Sequence, residues 1–192
     1  MEILYFFLIL FSYALGCVNG AYYVTRFLSG KDIRHYGSGN AGARNAGRLL
    51  GKKGFFFTLF IDISKTMVAL ITANYLANGN DAVLAASAIA VLLGHFFPVQ
   101  LRFHGGKGVV VFLSATLYLV PVAILVTGVV MGTGYMLFRR FTIPGLAALS
   151  TIPITSFFFS TSWTYTVGLF AMLTAVILSH IINLHPSPKS ST

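Results

Sequence analysis

Residues 109–138 read VVVFLSATLYLVPVAILVTGVVMGTGYMLF, and this run of 30 residues decides how often the chain crosses a membrane. As one α-helix it would reach roughly 45 Å, too long for a single ~30 Å hydrocarbon layer and too short for two crossings with a turn. Pro121 lies near its first third, where the pyrrolidine ring removes a backbone donor and breaks or kinks a helix. A break there gives two spans, 109–119 and 122–138. The first covers only ~16 Å as helix, so it must be covered by protein or lie under thinned membrane, or the break falls elsewhere in the run.

Outward from this run, further apolar stretches occupy 3–23, 55–76, 82–98, 143–160 and 163–184. Polar segments at 24–54 and 99–108 read as loops. With 56% hydrophobic and 9% charged residues, the 192-residue chain is no soluble domain, since those carry roughly a quarter charged residues. It reads as a single polytopic membrane domain over 1–192. The 3–23 stretch has acidic Glu2 in place of a basic flank and no small-x-small site, so it is expected to be a retained helix. Cys17, the only cysteine, has no disulfide partner in the chain and reads as packing.

Charge placement sets the expected topology. Of the 13 Lys and Arg residues, all but Lys65 fall in four segments: 26–53, 102–107, 139–140 and Lys189. Splitting the long run at Pro121 makes seven transmembrane helices and puts all four segments on one side. The positive-inside bias then predicts an all-α integral membrane protein with the N-terminus outside and the C-terminus cytoplasmic. The net charge of +9 is thus mainly an orientation signal, with attraction to anionic membrane lipid added. Bases confined to membrane loops do not form a nucleic-acid footprint.

Three polar clusters share that face. The first runs from Tyr36 to Arg48 and on to Lys52 and Lys53. Its glycines free the backbone for tight turns. Ser38, Asn40 and Asn45 offer neutral hydrogen bonds, and Arg44 and Arg48 offer forked positive charge, a set suited to a phosphate monoester bearing hydroxyls. The bland alternative is a flexible basic loop, but a loop of about 30 residues in a compact protein is usually functional or disordered.

The second cluster is Gly94-His95-Phe96-Phe97-Pro98 followed by Gly105-Gly106-Lys107-Gly108. Three glycines around a lysine at the head of an apolar helix suit an anion cradle, with backbone amides and the helix N-terminus aimed at the anion. It is not a Walker loop, and a simple interhelical turn would look much the same. The third is His180-Ile-Ile-Asn183, whose polar residues share a helix face. Interfacial capping is the bland reading. His95 and His180 lack a carboxylate or thiolate at ligand spacing, so no metal is expected. Within the second span, Asp62 and Lys65 sit at i and i+3 and read first as a structural ion pair, then as positioning residues for a polar loop.

Taken together, Gly37-Ser-Gly-Asn-x-Gly-Ala-x-Asn-x-x-Arg48, Asp62-x-x-Lys65, Gly94-His-x-Phe-Pro98 with Gly105-Gly-Lys-Gly108, and His180-x-x-Asn183 resemble the bacterial acyl-phosphate:glycerol-3-phosphate acyltransferase family. The motifs cover most of the chain in order. Arg44 stands where the family usually has Thr, and Thr66 where Gly usually follows the lysine. The resemblance implies a seven-span inner-membrane enzyme working on the cytoplasmic side. It would pass a fatty acyl group from acyl phosphate to the 1-hydroxyl of glycerol 3-phosphate, with no cofactor and no acyl-CoA or acyl-carrier-protein donor.

By resemblance and by chemistry, Gly105, Gly106, Lys107 and Gly108, with His95, would hold the acyl phosphate. Ser38, Asn40, Asn45 and Arg48 would hold glycerol 3-phosphate, with Arg44 and Lys52 as outer contacts. His180 is one candidate base, because histidine titrates nearest neutral pH, with Asn183 orienting it or the substrate. The leaving phosphate is the alternative base. A transporter of a phosphorylated solute is the main rival reading. It predicts polar residues deep in several spans and an internal repeat, whereas the polar residues gather at one face and no repeat is evident.

Overall fold

A computed structural model describes residues 1–160 and 162–182. The described residues form an all-helical bundle: α1 (Glu2–Cys17), α2 (Gly20–Ser29), α3 (Ala43–Leu76), α4 (Asp81–Phe96), α5 (Val109–Leu119), α6 (Pro121–Phe138), α7 (Thr142–Phe159) and α8 (Trp163–Ile181). Six helical stretches are long and apolar enough to cross a membrane, and α5 is a shorter apolar helix. Asn183 lies outside the described residues.

The short helix α5 is covered by protein. Of its eleven residues only Leu117 is exposed, and Phe112 is fully buried among residues of α3, α4 and α8. Val120 joins it to α6, where Pro121 occupies the first helical position and loses no intrahelical bond. By contrast α6 presents Leu125, Val129, Met136 and Leu137 outward, as a helix facing hydrocarbon does.

Two segments depart from the sequence-based expectation. The 3–23 stretch is not one helix: it breaks at Val18–Asn19. The Asn19 side chain accepts from the Tyr22 amide and starts α2, which continues to Ser29. The polar segment 24–54 is also not one loop. Only residues between Ser29 and Ala43 lie outside α-helix, with a short 3-10 turn at Ile33–His35. Arg44, Arg48 and Lys52 therefore ride on α3, which is broken at Gly51 with φ +68°. Alanine, leucine and arginine are strong helix formers, and they outweigh the loop signal of the nearby glycines.

The helix ends gather in two groups. Leu8, in the first half of α1, packs with Ala77 and Val83 at the α3–α4 turn. At the other end of the bundle, α8 finishes beside Lys107, to whose carbonyl Ser179 donates at 3.3 Å. The loop after α2 and the turn before α5 come together at this second end, where Arg34 donates to the Leu101 carbonyl at 2.7 Å.

Candidate active site

The loop between α2 and α3 is built from within. Asp32 accepts from the Arg34 amide at 3.0 Å and pairs with its guanidinium at 2.6 Å. Burial by itself raises the Asp32 carboxyl, but hydrogen bonds from the Arg34 side chain and amide, with its charge, outweigh that and hold the carboxyl below its ordinary value. From the first turn of α3, Asn45 reaches back into the loop. Its Oδ1 accepts from the Ser38 amide at 3.1 Å, and its Nδ2 donates to the carbonyls of Tyr36 at 2.9 Å and Asn40 at 3.1 Å. Gly37, at φ +59°, makes room for this, because a Cβ there would collide with Asn45 Oδ1. Asn45 was expected to hold a ligand. Both its polar atoms instead shape the loop that presents Ser38.

The turn before α5 also differs from the expected cradle. Gly105 N–H donates to the Phe96 carbonyl and Gly106 N–H to the His95 carbonyl, both at 3.0 Å. These two amides therefore finish the end of α4 and are not free for an anion. Neither glycine lines the cavity described below. Lys107 and Gly108 do, together with Val109 and Val110 from the first turn of α5, whose N-terminus opens there. Gly108, at φ +73°, turns the chain into that helix.

Behind this turn lies a buried polar cluster. Lys65 Nζ is 2.8 Å from Asp62 Oδ1 and donates to the carbonyls of Val18 at 2.7 Å and Gly16 at 3.2 Å. It also contacts His95 Nδ1 at 2.9 Å. Asp62 accepts from the Gly20 amide at 3.3 Å. The break between α1 and α2 thus supplies the carbonyls and the amide that an ion pair inside an apolar bundle requires. This also explains why the 3–23 stretch cannot stay one helix.

His180, on the last turn of α8, contacts the Val176 carbonyl through Nδ1 at 2.8 Å. A carbonyl only accepts, so Nδ1 carries a proton.

One cavity of about 760 Å³ collects most of these groups. Ser38, Asn40, Arg44, Asn45, Arg48, Asp62, His95, Lys107, Gly108 and His180 all line it. Arg48 and Lys107 have no carboxylate partner among the described residues, and Arg44 lies over the Phe141 ring at 5.8 Å. Asn40 Oδ1 is buried without a hydrogen-bond partner. Away from these charges the wall becomes apolar, through Leu113 of α5, Met131 of α6, and Leu146 and Leu149 of α7. Sequence reasoning did not single out this α6–α7 wall, because isolated apolar residues in membrane helices carry no local signal.

Two further candidates, besides Gly105 and Gly106, do not line the cavity. Lys52 lies in a neighbouring groove with Arg44, Arg48, Phe55 and Phe56, and Lys65 sits behind His95. Among the described residues, no three His, Cys, Asp or Glu side chains are grouped to hold a metal ion. What the site offers is unpaired positive charge at one end, hydroxyl and imidazole groups beside it, and an apolar recess. That suits a reaction between a phosphorylated solute and a phosphorylated lipid.

Residues 6–186 match the family described as glycerol-3-phosphate acyltransferase. Glycerol-3-phosphate acyltransferase 1 of Desulfitobacterium hafniense is 36% identical, over 97% of this chain and 92% of that protein. Glycerol-3-phosphate acyltransferase 1 of Bacillus cereus is 35% identical, over 87% and 91%. The fold is similar to a crystal structure of PlsY, an integral membrane glycerol 3-phosphate acyltransferase, in its glycerol 3-phosphate form. The TM-score is 0.85 and the identity 29%, covering 94% of this chain and 90% of that one. The lysophosphatidic acid form gives 0.83 at 26% identity, covering 94% and 89%.

Proposed function

The chain belongs to the glycerol-3-phosphate acyltransferase family, and we propose that it acylates the 1-hydroxyl of glycerol 3-phosphate with acyl phosphate as donor. The products are lysophosphatidate and inorganic phosphate. The observation that carries this reading is the single cavity in which Arg48 and Lys107, both without carboxylate partners among the described residues, face His180 and an apolar recess.

The acyl phosphate is a mixed anhydride, so its carbonyl is already activated. The protein has to hold two like-charged phosphates together and aim a hydroxyl at the carbonyl carbon, which is a task of proximity and charge stabilisation. Lys107 and the N-terminus of α5 hold the donor phosphate. Ser38, Asn40 and Arg48 hold glycerol 3-phosphate, with Arg44 as an outer contact, and Asn45 keeps Ser38 in place. The acyl chain occupies the recess between α5, α6 and α7. The hydroxyl oxygen forms the new bond to the carbonyl carbon, and the carbon–oxygen bond to phosphate breaks with its electron pair leaving on phosphate. The hydroxyl proton passes to His180 Nε2, the nitrogen left as acceptor by the bond to Val176. No acyl-CoA or acyl-carrier protein takes part.

The protein is a multi-pass membrane protein. The reading places it in the bacterial inner membrane with seven spans, counting α5, the N-terminus outside and the cavity open to the cytoplasm. Basic residues 26–53, 102–107 and 139–140 support that orientation. A transfer assay tests the function: purified protein with radiolabelled glycerol 3-phosphate is expected to form lysophosphatidate with acyl phosphate and none with acyl-CoA. Vesicle uptake of glycerol 3-phosphate without acylation would favour the transporter instead.

A further inference from the structure

We propose that Lys65 fixes the ring proton of His95 on Nε2, making that nitrogen a hydrogen-bond donor to an anionic oxygen of the acyl phosphate. This rests on the reaction proposed above and gives a positioning role to an ion pair that composition alone would treat as structural.

The protonation state follows from the partners of Lys65. Its ammonium has three protons and no lone pair, so it can only donate. It faces the Val18 carbonyl at 2.7 Å, Asp62 Oδ1 at 2.8 Å, His95 Nδ1 at 2.9 Å and the Gly16 carbonyl at 3.2 Å. Asp62 is its ion-pair partner, so the nitrogen presents N–H groups and no lone pair to the ring. Three protons meet four neighbours, so the Gly16 contact, the longest, shares one; a proton on His95 Nδ1 would point at the ammonium, so Nδ1 accepts. The nearest alternative acceptor for a proton on Nδ1 is Asp62 Oδ1 at 3.7 Å, beyond hydrogen-bond reach. A neutral imidazole that accepts at Nδ1 carries its proton at Nε2.

That Nε2–H has no hydrogen-bond partner among the described residues, although His95 is only 3% exposed. Unlike Asn40 Oδ1, this nitrogen is not sealed from the cavity, so its N–H is open to a ligand oxygen. The ring lines the cavity beside Lys107 and Gly108, so a ligand there can supply one. Gly106 lies against the same nitrogen, and any Cβ at that position would collide with Nε2. The glycine therefore gives the ring its place at the wall, rather than giving its amide to the anion.

His180 shows the opposite arrangement. Its Nδ1 donates to Val176, which leaves Nε2 as the acceptor. One cavity thus receives two histidines of opposite character, one fit to take a proton and one fit to donate to developing or resident negative charge. A donor aimed at the carbonyl oxygen acts in the transition state and lowers kcat when lost. A donor aimed at the phosphate acts already in the ground state and raises KM for acyl phosphate when lost.

The test compares His95→Gln with His95→Asn in full-length protein in lipid nanodiscs, together with nitrogen NMR of histidine-labelled wild type and Lys65→Met. Glutamine keeps an N–H donor near the place of Nε2, whereas asparagine keeps only the near contact with Lys65. His95→Gln is expected to retain at least about tenfold higher kcat/KM than His95→Asn, the effect of one hydrogen bond to a charged group. The wild-type spectrum should show the His95 proton on Nε2, and Lys65→Met should redistribute it. Equal rates in the two His95 variants, at whatever level, or a wild-type proton on Nδ1, would overturn the proposal. Wild-type protein that makes no lysophosphatidate would instead remove the proposed reaction, while the spectrum still decides the tautomer.

Discussion

His180 donates from Nδ1 to the carbonyl oxygen of Val176, one helical turn earlier, at 2.8 Å. The bond fixes the ring against α8 and leaves Nε2 free to accept a proton in the cavity. Replacing His180 by Gln removes the basic ring nitrogen while keeping a polar side chain of similar reach. Steady-state kinetics are expected to show kcat reduced by about 10² to 10⁴, the usual contribution of a general base. Unchanged turnover would assign the proton to the leaving phosphate.

Arg34 joins the two loops of the site by pairing with Asp32 and donating to the Leu101 carbonyl at 2.7 Å. The Asp32 carboxyl is held below its ordinary value because Arg34 outweighs the effect of burial. A depressed carboxylate contributes stability that is present above its unfolded pKa of about 3.9 and is lost as pH falls through the lower folded value. Hydrogen exchange at Ser38 should therefore stay slow from neutral pH down to about 4 and rise below that. In Arg34→Ala it should already be fast at neutral pH.

Helices α1 and α4 cross at Gly16 and Gly94. A Cβ on Gly94 would collide with the Tyr13 carbonyl and lie 2.9 Å from the Cys17 amide nitrogen, both backbone atoms that cannot rotate away. Gly94→Ala is expected to lower stability by about 1–3 kcal/mol, as overpacking does. Gly128→Ala on α6 is the matched control, since a Cβ there meets nothing within 4 Å. Thermal unfolding in detergent should separate the two, with the control close to wild type.

These relationships differ in how far they could be read from the sequence. Apolar run lengths gave away the helices, and Pro121 marked the α5–α6 break, because a proline ring acts on its own backbone whatever surrounds it. The break at Asn19 had no such local sign. It depends on Asp62 and Lys65, more than 40 residues later, meeting the freed backbone groups of Gly16, Val18 and Gly20. Arg44, Arg48 and His180 were legible because charge and imidazole are rare in so apolar a chain. The roles of Asn45 and Gly106 were not, since residue type alone cannot show whether an amide faces a ligand or its own chain.

The apolar recess should set acyl-chain preference. Gly145 of α7 lines it, and its nearest neighbour for an added Cβ is Met131 Sδ at 3.8 Å, which leaves room for a larger side chain. Gly145→Ile is expected to fill the recess and favour shorter acyl phosphates. Burial of each methylene contributes about 0.8 kcal/mol, so preference should shift about three- to fourfold per methylene excluded. Competition between acyl phosphates of different length reads this out directly.

Above all, one cavity is held to receive both phosphates, the acceptor's at Ser38 and Arg48 and the donor's at Lys107. Initial rates with both substrates varied, for wild type, Arg48→Ala and Lys107→Ala, test this most directly. A charge-assisted hydrogen bond contributes about 1.5–3 kcal/mol, so each loss should raise a KM by about tenfold or more. The expected result is a crossed pattern, with Arg48→Ala raising KM for glycerol 3-phosphate and Lys107→Ala raising KM for acyl phosphate. Wild-type constants for both substrates in both variants would contradict a shared site.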